Sequence, residues 1–502
     1  MEEESVTSHL LPAQGRGRSF FISPGFFSRF WIESKALWKI AGAAIFSRLA
    51  IYAYNVITQA FVGHVGDLEL AALSMVISVV VGFTSAIIIG MGTALGTLCG
   101  QAYGAQRQEI LGIYMQRSWI ILSSSTVALT PFYFFTTPIL KLCGQPDDIA
   151  KLSGKVSLWC IPMLFCFVLF FTLNRFLQSQ SKNFVTAWSS ALGVVFNVLS
   201  CWLFVSKWSM GLEGALISLN VGWWTPVIVQ YVYVTCGWCP DAWTGYSMEA
   251  FEDIWPFLKL SVASGVMIWL EIWYYRLLVL LTGNIKDVEV AVDSLSICLN
   301  INSWEMAIPL GFLASISVRV ANELGAGRPE EAKFAVIVSV INSTIIGLVL
   351  LVLILALRSD LAQVFTDTII IQKAVYKLLI LLAFTILLNS IQPVLLGVAV
   401  GLGWQAFVAY INIGCYYIIG VPLGMILGYL FNFGVTGIWL GMICGTGVQT
   451  LALMFITWRV DWDMEAKNIE NKLKKWSSVK PQNEKNNHGV ANLEDGAVEQ
   501  SR

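Results

Sequence analysis

Long apolar segments separated by short polar loops run along most of this chain. Each segment is close to 20 residues, which at 1.5 Å per residue crosses the hydrocarbon core of a bilayer as a helix. The pattern predicts twelve membrane-spanning helices, at residues 37–61, 71–96, 118–140, 156–177, 185–206, 212–236, 257–282, 289–316, 333–357, 374–397, 405–430 and 435–458.

The longest polar break inside the apolar region runs from Gly237 to Trp255 and divides the spans six and six. The charged segment after the last span predicts a helix near Trp462 to Trp476. The predicted organisation is an N-terminal tail (1–35), an N-lobe (36–237), an inter-lobe loop (238–256), a C-lobe (257–460) and a C-terminal tail (461–502).

The distribution of Lys and Arg predicts which face of the membrane carries the two tails. An even number of spans places both tails on one face. The loops give the two faces equal numbers of Lys and Arg, so the additional basic residues of the tails decide the orientation. Basic residues favour the cytosolic side, and both tails are therefore predicted to be cytosolic.

Composition supports a polytopic membrane protein and excludes several other classes. Hydrophobic residues make up 56% of the chain and charged residues 13%, with a mean hydropathy of +0.69. Soluble domains carry about 25% charged residues, and an outer-membrane barrel would carry less apolar sequence. The net charge of −1 gives no attraction to nucleic acid, and the three His are scattered. Because no nucleophile–base set or metal-ligand pattern occurs, we expect no enzyme activity, metal or cofactor.

The two halves of the chain carry related motifs. Gly63 to Ala71 and Gly283 to Ala291 share Gly, Asp, Glu and Ala at an offset of 220 residues, each after the first span of its half. Ala102 to Arg107 and Glu323 to Arg328 share Gly, Ala and Arg at an offset of 221, each after the second span. The motifs predict a duplicated six-helix unit whose two copies are parallel.

Parallel repeats are typical of transporters, which bind solutes between the repeats near the membrane midplane. The chain contains no GxxxxGK[ST] phosphate-binding loop. The driving force is therefore predicted to be an ion gradient, with a passive path as the alternative.

Ionisable residues inside the spans are the candidates for ion coupling, because charge in the membrane is costly and commonly functional. Glu271 lies roughly 15 Å from the outer end of the seventh span, and Asp293 roughly 7 Å from the same face. Asn300 falls near the depth of Glu271. Desolvation favours the protonated form of a buried carboxyl group, so Glu271 and Asp293 are predicted to bind protons or cations. A structural pair of Glu271 with Arg276 is the alternative.

Further polar and aromatic residues are candidates for a pathway or cavity, with ordinary packing as the alternative for each. Glu305 lies roughly 18 Å along the helix from Asp293, too far to share one site with it. Arg48 is a candidate to attract an anionic solute or to neutralise a buried acid. The other candidates are Asn55, Gln59, Asn389, Gln392, Tyr416 and Tyr417, of which the two tyrosines are suited to stacking on flat ligands.

Two sets of motifs resemble a known family. Cys99 to Ala105 after the second span and Arg319 to Gly327 after the eighth resemble multidrug and toxic compound extrusion (MATE) transporters, and the resemblance covers about residues 35–460. The segments Trp243 to Pro256, Glu271 to Tyr274 and Gly403 to Tyr417 are similar to the plant detoxification branch, and to its vacuolar members linked to flavonoid loading.

The resemblance implies an all-α fold with two six-helix lobes, monomeric in the bilayer, that exchanges small organic solutes for protons or sodium ions. It also implies a carboxylate cluster in the C-lobe, which Glu271 and Asp293 match by position. Prokaryotic members carry an Asp in the first span, where this chain has Asn55 and Gln59. The leading hypothesis is a proton-coupled antiporter of flavonoids, secondary metabolites or xenobiotics in the vacuolar membrane. A vacuolar anion channel is the alternative function, and the plasma membrane is the alternative location.

Overall fold

The computed structural model describes residues 25–282 and 288–477, and these residues form helices and loops without a β-strand. The first residues of the Gly283 to Ala291 motif and the outer parts of both tails lie outside the described residues. The helices are α1 (Phe26–Gly63), α2 (Asp67–Gly104), α3 (Leu111–Phe134), α4 (Thr136–Leu142), α5 (Asp147–Trp159), α6 (Ile161–Ser179), α7 (Asn183–Lys207), α8 (Gly211–Trp238), α9 (Ile254–Thr282), α10 (Val288–Glu305), α11 (Ala307–Gly325), α12 (Pro329–Ala356), α13 (Arg358–Phe365), α14 (Ile369–Leu402), α15 (Gln405–Leu430), α16 (Gly434–Arg459) and α17 (Trp462–Ser477).

The predicted all-α membrane fold is confirmed. Within the described residues, eleven helices are long and apolar enough to cross a membrane, or twelve if the bent pair α3 and α4 is one span. That pair bends by 61° just after Pro131. The predicted eighth span corresponds to α10 and α11, which count together as one candidate span and are interrupted by a single turn residue, Met306, three residues before Pro309. Proline lacks a backbone N–H and cannot bond the carbonyl four residues earlier, so it accounts for the break.

The two lobes meet about a pseudo-twofold axis, at equivalent residues of the repeat. A Cβ atom at Gly104 of α2 would lie 2.0 Å from the carbonyl oxygen of Asn322 on α11. A Cβ atom at Gly325 of α11 would lie 2.1 Å from the carbonyl oxygen of Gln101 on α2. Because Gly325 and Asn322 are the repeat equivalents of Gly104 and Gln101, the contact is reciprocal, as expected at a twofold axis. Glycine is required here for the backbones to approach.

A second equivalent pair of contacts lies further along the same helices, near the middle of α2. Gly90 of α2 packs against Gly265 of α9, where an added Cβ atom would lie 2.8 Å from the Gly265 Cα atom. Its repeat equivalent, Gly311 of α11, packs against Ile45 of α1. Each lobe therefore packs its second span closely against the first span of the other lobe. Small residues allow such close packing of helices in a membrane.

An ion-pair network closes the cleft between the lobes on the face that carries the tails. Arg319 of α11 contacts Glu33 of α1 at 2.8 Å and Glu323 at 2.8 Å. Glu323 also contacts Arg328 at 2.7 Å. The side chains of Glu33 and Glu323 are only 10% and 5% exposed. The network ties the start of the N-lobe to the C-lobe near the Gly104–Asn322 contact.

We expect Arg319→Ala to lower the stability of the closed state, because it leaves Glu33 and Glu323 buried without their shared cation. Removing one partner of a buried ion pair costs about 3–5 kcal/mol, whereas exposed pairs contribute about 0–1 kcal/mol. The matched control is Arg328→Ala, since Arg328 is 60% exposed and its loss leaves Arg319 in place. Thermal unfolding in detergent checks the difference. Equal melting temperatures for the two variants would contradict this assignment.

The last helix covers the same face of the protein. The predicted helix near Trp462 to Trp476 is present as α17. Ala466, Ile469 and Leu473 of α17 are buried in the core. Arg107, in the loop after α2, donates to the Leu473 carbonyl oxygen at 2.9 Å. The helix thus lies beneath the crossing of α2 and α11 and contacts both lobes.

Candidate functional site

Glu271 lies inside the C-lobe, in the middle of α9. Its Oε1 atom accepts a hydrogen bond of 3.0 Å from Nε2 of Gln392 on α14. In the described part of the chain, no Lys or Arg forms an ion pair with this carboxyl group. The amide of Gln392 is therefore the polar partner that positions Glu271, and the sequence placed both residues among its candidates.

Glu305 is the last residue of α10 and stands at the break before α11. Both of its carboxyl oxygens are buried without a well-formed hydrogen bond among the described residues. The Asn389 amide on the neighbouring α14 faces this carboxyl group. Asn389 donates instead to Oδ1 of Asn302 at 3.0 Å, three residues before Glu305. Because Asn389 and Gln392 are one turn apart, the two carboxyl groups lie beside two amides of the same helix.

Two prolines leave backbone carbonyl groups without helical hydrogen-bond donors near these carboxyl groups. Pro309 follows Glu305 by four residues, and Pro393 follows Asn389 by four. A proline leaves the carbonyl four residues earlier without its helical donor. Backbone acceptors are therefore left at Glu305 and at Asn389, and the helix is interrupted by the turn residue Met306 directly after the first of these two positions.

An aromatic and amide network holds the helices around Glu271. Tyr416 donates to Oε1 of Gln449 at 2.5 Å, and Gln449 donates to Oδ1 of Asn412 at 2.6 Å. Tyr274 stacks on Tyr416 with ring centroids 4.3 Å apart. Tyr417 donates to the Leu270 carbonyl oxygen at 2.8 Å, next to Glu271. The two predicted tyrosines thus join α9, α15 and α16, and their hydroxyl groups already have partners.

Three other predicted residues lie apart from this pair of carboxyl groups. Asp293 and Asn300 on α10, and Arg276 on α9, have exposed side chains. Within the described residues, no ion pair joins Arg276 to Glu271, and no hydrogen bond joins Asp293 to Glu271. The structure therefore places Glu305, rather than Asp293, among the buried amides of α14.

A separate cavity of about 240 Å³ lies in the N-lobe. Arg48 and Asn55 of α1 line it, as the sequence predicts, whereas Gln59 is not among its lining residues. Arg175 of α6 also lines it, together with Asn174. The sequence candidates did not include these two residues, although both lie within the predicted fourth span, 156–177. The position of Arg175 within an apolar helix, one turn before the helix end, was the available signal.

Comparisons with known proteins agree with this architecture. The family model MatE matches residues 43–203 and 263–426, one segment in each lobe. Protein DETOXIFICATION 27 of Arabidopsis thaliana is 56% identical over 91% of this chain and 94% of its own length. Protein DETOXIFICATION 28 of the same plant is 54% identical over 89% of this chain and 91% of its own length.

Solved structures share the fold. The crystal structure of the eukaryotic MATE transporter AtDTX14 superimposes with a TM-score of 0.84 at 32% identity, over 88% of this chain and 99% of that one. A mutant form of the Vibrio cholerae MATE transporter VcmN superimposes with a TM-score of 0.77 at 17% identity, over 87% of this chain and 100% of that one. The duplicated lobes, the family match and these relatives lead to one conclusion: the chain belongs to the MATE family of membrane transporters.

Proposed function

We propose that this transporter is a proton-coupled antiporter, which moves organic solutes into the plant vacuole in exchange for protons. One observation carries the proposal. Glu305 is buried without a well-formed hydrogen bond among the described residues, and Glu271 has only the Gln392 amide. Neither carboxyl group has a described basic partner. An unpaired carboxylate in such surroundings is strongly disfavoured, so the groups carry protons while the cleft is closed toward the tails.

Alternating access then supplies the coupling. The contacts at Gly104 and Gly325 close the cytosolic face, and the carboxyl groups bind protons from the opposite, acidic side. When the lobes rock and the cytosolic face opens, water and neutral pH favour release of the protons from Glu271 and Glu305. The solute moves in the reverse direction through the same change of shape. The prolines in α11 and α14 provide flexible points beside the two acidic groups.

The available free energy is sufficient for this exchange. A proton moving through two pH units yields about 2.7 kcal/mol, since each unit is worth about 1.36 kcal/mol. A membrane potential of about 100 mV adds about 2.3 kcal/mol for each charge moved. One proton therefore supports a solute gradient of roughly a hundredfold or more.

The plant relatives and the chemistry of the vacuole support the proposed location and solute class. The relatives named DETOXIFICATION come from a plant, and the vacuole supplies an acidic lumen that a proton exchanger needs. Flavonoids, other secondary metabolites or xenobiotics are the proposed solutes. A fluorescent fusion in plant cells tests the location: signal at the vacuolar membrane supports the proposal, and signal confined to the plasma membrane would overturn it.

Transport by purified protein in liposomes tests the coupling. With an acidic interior, we expect a flavonoid glycoside to accumulate and the interior pH to rise as it enters, because exchange consumes the proton gradient. Chloride current is recorded in parallel, since an anion channel on this scaffold is the other function under test. Chloride current that persists without solute or pH gradient, with no solute uptake, would assign the protein to the channel class instead.

A further inference from the structure

The N-lobe cavity carries two positive charges without a matching negative charge. Arg48 lines it from α1 and Arg175 lines it from α6. Neither arginine forms an ion pair with an acidic side chain in the parts of the chain that the structure describes. Arg175 donates to Oε1 of Gln178 at 3.3 Å, which is a neutral acceptor. No Asp or Glu occurs among the described residues that line this cavity.

Two uncompensated arginines inside a membrane protein need an explanation. A charged side chain within a membrane-spanning helix is costly and commonly marks a pathway for a substrate or ion. The two guanidinium groups also repel each other electrostatically. A bound anion would relieve both costs. Guanidinium groups suit this role, because they donate paired hydrogen bonds to a carboxylate and remain charged.

The remaining surface of the cavity selects for an aromatic molecule. The aromatic residues that line it are Tyr52, Phe167, Phe170, Phe171 and Trp223. Phe167 and Phe170 already meet Trp223 edge to face, at centroid distances of 4.7 and 5.4 Å. Such a wall favours a planar ring over a hydrated inorganic ion. The volume of about 240 Å³ is below the roughly 300–1,000 Å³ of most ligand pockets, so it fits a small ligand.

We infer that the N-lobe cavity binds a small aromatic acid, with its carboxylate between Arg48 and Arg175 and its ring against the aromatic wall. This inference rests on the proposed function, since it names a solute class for the same transporter. It also assigns to the N-lobe a role different from that of the C-lobe, where Glu271 and Glu305 bind protons. Solute and proton would then occupy separate lobes and be coupled through the rocking of both.

Equilibrium binding to the purified full-length protein, without any membrane gradient, tests the inference. The probe is 4-hydroxycinnamate, and the matched probe is its methyl ester, which has the same ring and no charge. We expect the acid to bind at least about tenfold more tightly than the ester, because a charge-assisted pair is replaced by a neutral contact. Equal binding of acid and ester would overturn the inference.

Variants locate the site. Arg48→Gln and Arg175→Gln are each expected to weaken binding of the acid by at least about tenfold and to leave binding of the ester unchanged. Arg48→Lys keeps the charge and should retain part of the affinity, which controls for damage to the fold. Arg358→Gln removes a cation that packs on Tyr376, outside the cavity, and should bind like wild type.

Two further results decide against the inference. If both glutamine variants fold and bind the acid as wild type does, the arginines do not form the site. If chloride displaces the acid competitively at equal concentration, the cavity is an inorganic anion site and the aromatic selection is wrong. Binding is measured without a pH gradient, so the two tests are independent. A failure of the acid to bind would not contradict proton coupling, and a failure of proton coupling would not contradict binding of the acid.

Discussion

Glu271→Gln is expected to abolish solute accumulation driven by a pH gradient while leaving the protein folded. Glutamine is close in size, and its amide oxygen still accepts the hydrogen bond from Gln392. It mimics the protonated carboxyl group but cannot release a proton. A gradient of two pH units supports roughly a hundredfold accumulation of solute, so the variant should fall from about that ratio toward one. Uptake into liposomes with and without an imposed pH gradient measures the change.

Two companion variants distinguish the roles of the acidic residues of the C-lobe. Glu305→Gln should also reduce accumulation, because Glu305 is buried and has no well-formed hydrogen bond among the described residues. Asp293→Asn should accumulate solute as wild type does, since its side chain is exposed on α10. Solute exchange in the absence of a pH gradient is the control for folding, and all three variants should retain it. Normal accumulation by Glu271→Gln would refute the assignment of Glu271 as a proton carrier.

The spans and the parallel duplication could be predicted from sequence because each has a strong local signal. About 20 apolar residues in a row leave few alternatives in a bilayer, and motifs repeated 220 residues apart identify equivalent helices. The bends are harder to predict. Pro309 coincides with a break in the helix, whereas Pro393 lies within the continuous α14. Contacts with neighbouring helices determine whether a proline interrupts a helix, and the sequence alone does not specify those contacts.

The depth of a residue could be predicted, but not the direction in which its side chain points. Glu271 is in the middle of α9, as counting residues from the helix end indicates. The same counting placed Glu305 too far along the helix to share a site with Asp293, and the family resemblance grouped Asp293 with Glu271. In the structure, Asp293 is exposed, and Glu305 lies beside α14 with its oxygens buried. The rotation of α10 about its axis determines this difference, and that rotation depends on packing between distant segments.

Gly104→Ala is expected to slow transport by opening the closed face that carries the tails. The added Cβ atom would lie 2.0 Å from the Asn322 carbonyl oxygen, which belongs to the backbone and cannot move away by changing rotamer. The lobes must separate at this point instead. Overpacking of this kind costs about 1–3 kcal/mol, which shifts a two-state equilibrium by roughly 5- to 150-fold. We therefore expect a loss of transport within that range. Initial rates of solute uptake measure it.

The pseudo-twofold axis supplies an internal check on this prediction. Gly325→Ala makes the equivalent contact with Gln101, at 2.1 Å, and should have the same effect as Gly104→Ala. Gly447→Ala on α16 is the matched control, since an added Cβ atom there meets nothing within 4 Å. Labelling of a cysteine introduced at Ala326 should rise in both clashing variants, because the loop beside the crossing becomes accessible. If Gly104→Ala and Gly325→Ala both show wild-type transport rates and wild-type labelling, the close contact of α2 with α11 is not part of the transport cycle. A slow rate without increased labelling would locate the effect in folding rather than in the opening of the face that carries the tails.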